Sequence, residues 1–259
     1  SGSYPAFYLS SFKPIEVIKG KISKGQKGKA LRNGLVVFQF SISICLIICS
    51  LFVQRQLSYT SNLDLGLSDE NVLQIHNIEQ YGFDTKVIKS KLEGIAAVSV
   101  VGKSFGVPPN VMSGDRYRST EPEAQVFQLN NLRVDEDYLN VLGIELLAGR
   151  NFDIERPTDK YSVILNEAAV KLLGWTAETA VGKSVAVASG SEDEFEVIGV
   201  TKDFNFHSTR QDIGPLILIN DQNNKVWDYG AGLSFYSMKL NPQSVQTSAD
   251  LKRVLDEAE

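Results

Sequence analysis

From Leu35 to Val53 the chain reads LVVFQFSISICLIICSLFV, an apolar run without one charged residue. Nineteen residues at a helical rise of about 1.5 Å reach roughly 28 Å, close to the hydrocarbon thickness of a bilayer. Only a helix can cross that layer as a single segment, because each backbone polar group must find its partner within the segment. The polar residues inside the run are mild: Gln39, Ser41, Ser43, Ser50, Cys45 and Cys49. Hydroxyls and thiols can bond back to the preceding turn, and Gln39 lies near one end. A buried core helix would be shorter and carry a polar stripe. The run therefore predicts one transmembrane helix, continued by Gln54–Tyr59 as a stalk.

Charge orients it. Residues 1–34 hold seven basic side chains, from Lys13 to Arg32, against the lone acid Glu16, for a net +6. The other 19 basic and 30 acidic residues leave −11 on residues 35–259. Basic residues gather on the cytoplasmic side of a span, which places residues 1–34 inside and everything beyond Tyr59 outside. The lysines are better read as a topology signal attracted to the lipid surface than as a nucleic-acid patch. A cleaved signal peptide does not fit either, since Gln54-Arg55-Gln56 follows the run where small residues are needed.

About two hundred residues follow, enough for one large or two small domains with real cores. Both cysteines lie in the apolar run, so the outer part has no disulfide. Its only histidines are His76 and His207. Without a His/Cys/Asp/Glu cluster at ligand spacing, the sequence supplies no metal site, no cofactor site and no catalytic residue.

Alternation and helical spacing organise the outer part. Asn71–His76 and Ala96–Ser104 read as strands around a helix at Thr85–Ile95, with Val87, Ile88, Leu92 and Ile95 on one face and lysines on the other. Val107-Pro108-Pro109-Asn110 is a boundary signal. Gln125–Val134 reads as an edge or bulged strand, and Asp135-Glu136-Asp137 as the cap of a turn carrying Tyr138, Leu139 and Leu142. Ser162–Leu165 is a strand, and Asn166 caps a helix Glu167–Leu173 that ends at Gly174. Ser184–Ala188 and Phe195–Lys202 form a hairpin over the acidic turn Ser189–Glu194. Leu216–Ile219 and Leu233–Leu240 are strands, and Asn241-Pro242 opens a last helix with Val245, Leu251 and Leu255. The fold class is α+β: a transmembrane helix, then an extracytoplasmic split α/β sandwich with an inserted mixed α/β subdomain. Its divisions are 1–34, a basic cytoplasmic linker; 35–59, span and stalk; 60–109 with 206–259, a porter-like subdomain; and 110–205, the insertion. The strands before and after the insertion are expected to share one sheet with helices on one face.

These segments carry a resemblance. Tyr4–Pro14 followed by Val17-Ile18-Lys19-Gly20 looks like the junction after a permease module. Arg32–Phe40, with Gln56-Leu57, resembles the helix opening the second half of FtsX-like and MacB-like ABC transporter permeases. Asp137-Tyr138-Leu139, Gly143-Ile144, Leu147-Ala148-Gly149-Arg150 with Phe152, and Asn166-Glu167-Ala168 are similar to the middle of their periplasmic core domain. Phe195–Val200 with Lys202-Asp203-Phe204-Asn205-Phe206 is similar to its strand and return segment. The resemblance covers nearly the whole chain in order. It implies a non-enzymatic permease subunit of the cell inner membrane, its C-terminal domain periplasmic. The implied partners are a cytoplasmic ABC ATPase, a second permease half or a second copy, and the lipid bilayer, without nucleic acid. It also implies a fragment, begun after one module and ended before three further helices. The other functional class is a single-span anchor whose outer domain binds or senses an envelope partner.

Gly102-Lys103-Ser104 and Gly182-Lys183-Ser184 end like phosphate-binding loops, but the glycine needed five positions earlier is Ala97 or Ala177. Both read as turns. Glu192-Asp193-Glu194 reads as a solvated hairpin tip and His207 as a surface residue beside Asp203. Phe204 and Phe206 read as packing at the subdomain junction, and Trp175 as a packing residue. Trp227 and Tyr229, in a polar loop, are the candidate partner contacts.

Orientation is testable directly. With Cys45 and Cys49 changed to serine, a cysteine placed at Asn224 should label strongly with an impermeant reagent in intact spheroplasts. Neutralising Lys19, Lys21, Lys24, Lys27 and Lys29 should reduce that labelling by mixing orientations. Labelling of the parent only after lysis would reverse the topology.

Overall fold

Helix α1 runs Gly25–Ser61 in the computed structural model, which describes residues 25–61, 63, 65–68, 71–76, 85–108, 114–188, 193–208, 211–223 and 235–243. Its thirty-seven residues extend about 55 Å at the helical rise. The stretch Lys29–Thr60 is long and apolar enough to cross a membrane. Its large side chains are open on every side; Phe38, Phe40 and Phe52 are 65%, 65% and 72% exposed. In water such a surface is costly, in lipid it is the solvated state. Ser41 Oγ donates to Val37 O and Ser43 Oγ to Gln39 O, both at 2.9 Å, so the hydroxyls are satisfied within the helix. The stalk is helical as expected, but the helix starts ten residues before the apolar run and takes in Lys27, Lys29 and Arg32.

The chain divides into two compact units, residues 1–63 and 64–259. The outer unit contains β1 (Val72–His76), α2 (Thr85–Glu93), β2 (Val98–Ser104), β3 (Gly114–Ser119), β4 (Val126–Val134), α3 (Tyr138–Leu142) and β5 (Leu146–Gly149). It continues with β6 (Ser162–Asn166), α4 (Glu167–Leu172), α5 (Ala177–Ala180), β7 (Ser184–Val187), β8 (Glu194–Thr201), β9 (Leu216–Asn220) and β10 (Phe235–Leu240). β1 and β2 both pair antiparallel with β10, which lies between them. This is the split β-α-β arrangement, and α2 covers one face. Ile88 and Leu92 are buried there against Val101, Tyr236 and Met238. Val87, expected inward, is exposed.

The second layer closes on itself. β4 pairs with β3, β3 with β7, β7 with β8, β8 with β6, β6 with β9, and β9 returns to β4. The result is a six-stranded barrel with β5 attached to β8. One apolar cluster draws on all six strands, among them Tyr117, Leu129, Leu165, Val185, Phe195 and Ile217, and Ala169, Val170 and Trp175 pack against it. A second cluster lies across β4, β6 and β9 and holds Tyr138, Leu142, Phe152, Phe204 and Phe206.

Three expectations change. β9 does not join β1, β2 and β10, because all five of its residues are buried and such a strand needs both faces covered; the barrel interior covers Ile217 and Ile219, and the second cluster covers Leu216 and Leu218. β4 is no edge strand, since it pairs with β3, β9 and β2. Asp137 precedes α3 but makes no side-chain cap bond, its carboxylate being used elsewhere. β3 and β5 were not anticipated. The last helix, with Val245, Leu251 and Leu255, lies outside the described residues, as do Trp227 and Tyr229.

Two glycines set the closest approach in the sheet. Gly149 (φ +73°) pairs with Gly199, and added Cβ atoms would lie 2.2 Å from Ile198 O and 2.4 Å from Arg150 O. Gly149→Ala should therefore destabilise the fold by more than about 1 kcal/mol, because strain and a backbone clash combine. Gly174→Ala is the control, with φ +77° and open space around it. The thermal midpoint of Gly149→Ala should fall further than that of Gly174→Ala. Equal midpoints would refute the close-approach account.

Candidate functional site

The outer unit grips the segment that follows α1. The helix ends at Ser61, and by Leu65 the chain is bonded to the segment after β8 and to α3: Asn205 N donates to Leu65 O at 2.8 Å and Ser68 N to Leu142 O at 2.7 Å. Between them Gly66 adopts φ +70°, and a Cβ there would lie 2.6 Å from Asp203 O and 3.0 Å from Phe204 Cα. Leu67 packs into the cluster of Phe204 and Phe206, whose rings meet edge to face at 6.0 Å. The two aromatics are the packing residues that their alternation indicated.

Behind this latch stands a polar hub. Asn166 Oδ1 accepts from Ala169 N at 3.0 Å and from Leu216 N at 2.8 Å. Its Nδ2 donates to Asp203 Oδ1 at 2.7 Å and to Gly214 O at 2.9 Å. All four bonding positions of this fully buried amide are thus filled. Asp203 Oδ1 also accepts from Ala168 N at 3.0 Å, and Asp203 N donates to Glu167 Oε2 at 3.1 Å. Burial raises the Asp203 pKa even so, against the lowering effect of the Ala168 N–H. His207 turns away, its Nε2 lying 3.2 Å from Asn130 Oδ1 and its ring against Phe206. Asp203 therefore caps α4 and forms no relay with His207.

A second cluster joins α2 to the barrel. Lys89 Nζ lies 2.8 Å from Asp135 Oδ2, 3.3 Å from Glu136 Oε1 and 2.7 Å from Asp137 Oδ2. Burial pushes Asp135 up to about 6, while the Lys89 charge and hydrogen bond pull it down. Burial pulls Lys89 down, but the Asp135 charge and hydrogen bond outweigh it and the ammonium is held above its ordinary value. The three carboxylates lie within 4.8 Å of one another, and the lysine fills the space that a cation would take. Nearby, Lys103 Nζ is 3.8 Å from Asp221 Oδ2. Arg133 donates to Asp221 O at 2.8 Å and also to Asn223 O. Burial raises the Asp221 pKa, against the lowering pull of Lys103.

The Gly-Lys-Ser sequences open no helix. Gly102–Ser104 lies within β2, not in a turn. Gly182 turns at φ +85° ahead of β7, and Lys183 bonds Glu121 at 2.7 Å above the Trp175 ring. Trp175 packs against the barrel cluster, as its packing role required. The Lys89 cluster was not foreseen. Its partners are forty-six to forty-eight positions away, and spacing along a chain carries no signal for such a pair.

No curated protein matches the chain. Among solved structures, the periplasmic region of MacB from Actinobacillus actinomycetemcomitans shares the fold, with TM-score 0.52 and 20% identity over 74% of this chain and 83% of that one. A domain of a putative permease protein from Porphyromonas gingivalis aligns at TM-score 0.46 and 17% identity, over 64% of this chain and 72% of that one. The extracellular domain of the noncanonic ABC-type transporter YknZ from Gram-positive bacteria aligns at 0.46 and 16%, over 68% and 80%. The profile described as MacB-like periplasmic core domain matches residues 40–253. That span takes in most of the chain, which therefore belongs to the MacB-like periplasmic core domain family of MacB- and FtsX-like ABC transporter permeases.

Proposed function

We propose that this chain is the permease part of an ABC exporter or mechanotransmission complex, and that its outer domain passes ATP-driven motion to cargo or to an envelope partner. The observation that carries the reading is the latch: residues 65–68 are held to the segment after β8 and to α3 by backbone bonds at Leu65 and Ser68, with Gly66 wedged against Asp203 and Phe204. A flexible tether would absorb motion, whereas a bonded, close-packed segment carries it into the core. The motor in this reading is a cytoplasmic ABC ATPase, acting on a dimer of two permease halves or two copies. Residues 1–34 face the cytoplasm and the outer domain faces the periplasm, in the cell inner membrane. The domain performs no chemistry of its own. Residues 60–109 with 206–259 form the porter-like part and 110–205 the insertion, with β9 contributed to the insertion's barrel. Trp227 and Tyr229 serve as partner contacts.

Coupling needs a stiff stalk. Gln56→Gly with Ser58→Gly should loosen α1 by roughly 0.5–1 kcal/mol at each position and leave the melting of the outer unit unchanged. In the assembled transporter, ATP hydrolysis should continue while cargo export or partner activation falls. Equal export by mutant and parent at equal expression would identify a passive binding domain on a membrane anchor.

A further inference from the structure

We infer that Lys89 and the carboxylates of Asp135, Glu136 and Asp137 form a charge lock that fixes the orientation of the three-stranded sheet on the barrel. The backbone joins these parts sparingly. β2 and β4 share one residue pair, Ser104 with Val134, flanked by Phe105 N to Arg133 O and Asp135 N to Lys103 O, both 3.0 Å. Gly102 of β2 lies against the start of α3, where a Cβ would be 2.9 Å from Tyr138 Cα. A smooth backbone contact of this kind has no side chain at that point to interlock with its neighbour. A single strand crossing with a smooth contact beside it leaves orientation to the side chains around it, the apolar Val72 and Val100 against the second cluster and the charged Lys89.

Lys89 is placed to set that orientation. It stands on α2, the helix covering the three-stranded sheet, and its ammonium bonds to the turn between β4 and α3. One ammonium has three N–H donors, and here three carboxylates receive them. The Asp135 side chain is only 6% exposed. Withdrawing Lys89 would leave that carboxylate buried without its cation, which is far worse than the intact pair. The closed arrangement is therefore strongly favoured over one with Lys89 withdrawn. It is a property of the outer domain alone and stands whether or not the domain transmits motion.

The charged groups around the lock are Lys89 from α2, Lys103 from β2, Arg133 from β4, Asp135, Glu136 and Asp137 from the turn, and Asp221 beyond β9. Burial sets Asp135 at about 6 against an ordinary 3.8. The fold thus binds this proton more tightly than the unfolded chain, and stability falls as pH rises across that interval. Removing Lys89 moves the Asp135 pKa higher and extends the loss above pH 6. The drop in melting temperature caused by Lys89→Gln should be larger at about pH 7.5 than at about pH 5.

The deciding measurement is a distance. In the full chain in lipid nanodiscs, with Cys45 and Cys49 changed to serine, spin labels go on Ser90→Cys in α2 and Lys171→Cys in α4, both exposed. The parent should give one narrow distance distribution. Lys89→Gln should broaden or shift it, and Lys89→Arg should keep it narrow. An unchanged distribution in folded Lys89→Gln would overturn the lock. Broadening in both variants would also overturn it, by assigning the effect to packing instead of charge. Should Lys89→Gln fail to fold, the partly buried pair Glu136→Gln with Asp137→Asn decides: partial broadening supports the lock and an unchanged distribution refutes it.

Discussion

Everything in the outer domain depends on the return of β9 to β4. All five β9 residues are buried, and the strand pairs parallel with β4 on one side and antiparallel with β6 on the other. Without it both neighbours would present an open edge of unpaired backbone groups. Closing the barrel also places β9's two ends. Its first residue, Leu216, gives its N–H to Asn166 and so ties the barrel to the cap of α4. Just past its last residue, Asp221 takes its place beside Lys103 and Arg133. One apolar strand thus positions both polar clusters, the hub behind the latch and the charges at the sheet junction.

The two clusters differ in chemistry because they do different work. At the hub, Asn166 fills every bonding position with fixed groups. Such a fully satisfied network in a low-dielectric site is rigid and specifies one arrangement. It braces residues 203–206, which in turn hold Leu65. The junction instead uses whole charges on a long, flexible lysine. Its carboxylates outnumber the lysine, so the site keeps a surplus of negative charge and its grip varies with protonation. The hub suits a point that must not yield, the lock a point whose hold depends on charge.

Much of this architecture was legible along the chain. The span announced itself by nineteen uncharged residues, and its stalk by unbroken helical composition. The hairpin β7–β8 and the helix capped by Asn166 followed from turn and cap chemistry, which is local. Closure was not legible. Leu216–Ile219 reads as a strand, but nothing in four apolar residues says which neighbours cover it. β3 escaped because Gly114-Asp115-Arg116-Tyr117-Arg118-Ser119 buries only Tyr117 and Ser119. The acidic run 135–137 looked like a helix cap because caps are built from such residues. Only the distant Lys89 reveals its other use.

Apolar contacts at the junction, where Val72 and Val100 pack against the second cluster, are the simpler source of stability. Buried ion pairs often do no better than well-packed hydrophobic residues of similar volume, since desolvation offsets the attraction. What they add is direction. Leu92 of α2 makes contacts that have no bond direction, whereas Lys89 meets three oxygens at hydrogen-bonding distance in one orientation. α2 carries both kinds of contact, an apolar face toward its own sheet and a charged tether toward the barrel. The apolar face holds the helix to the sheet through many weak contacts, and the tether fixes the angle at which both meet the barrel. Stability and orientation are thereby separated onto different side chains of one nine-residue helix, so a change that releases the angle need not melt the sheet.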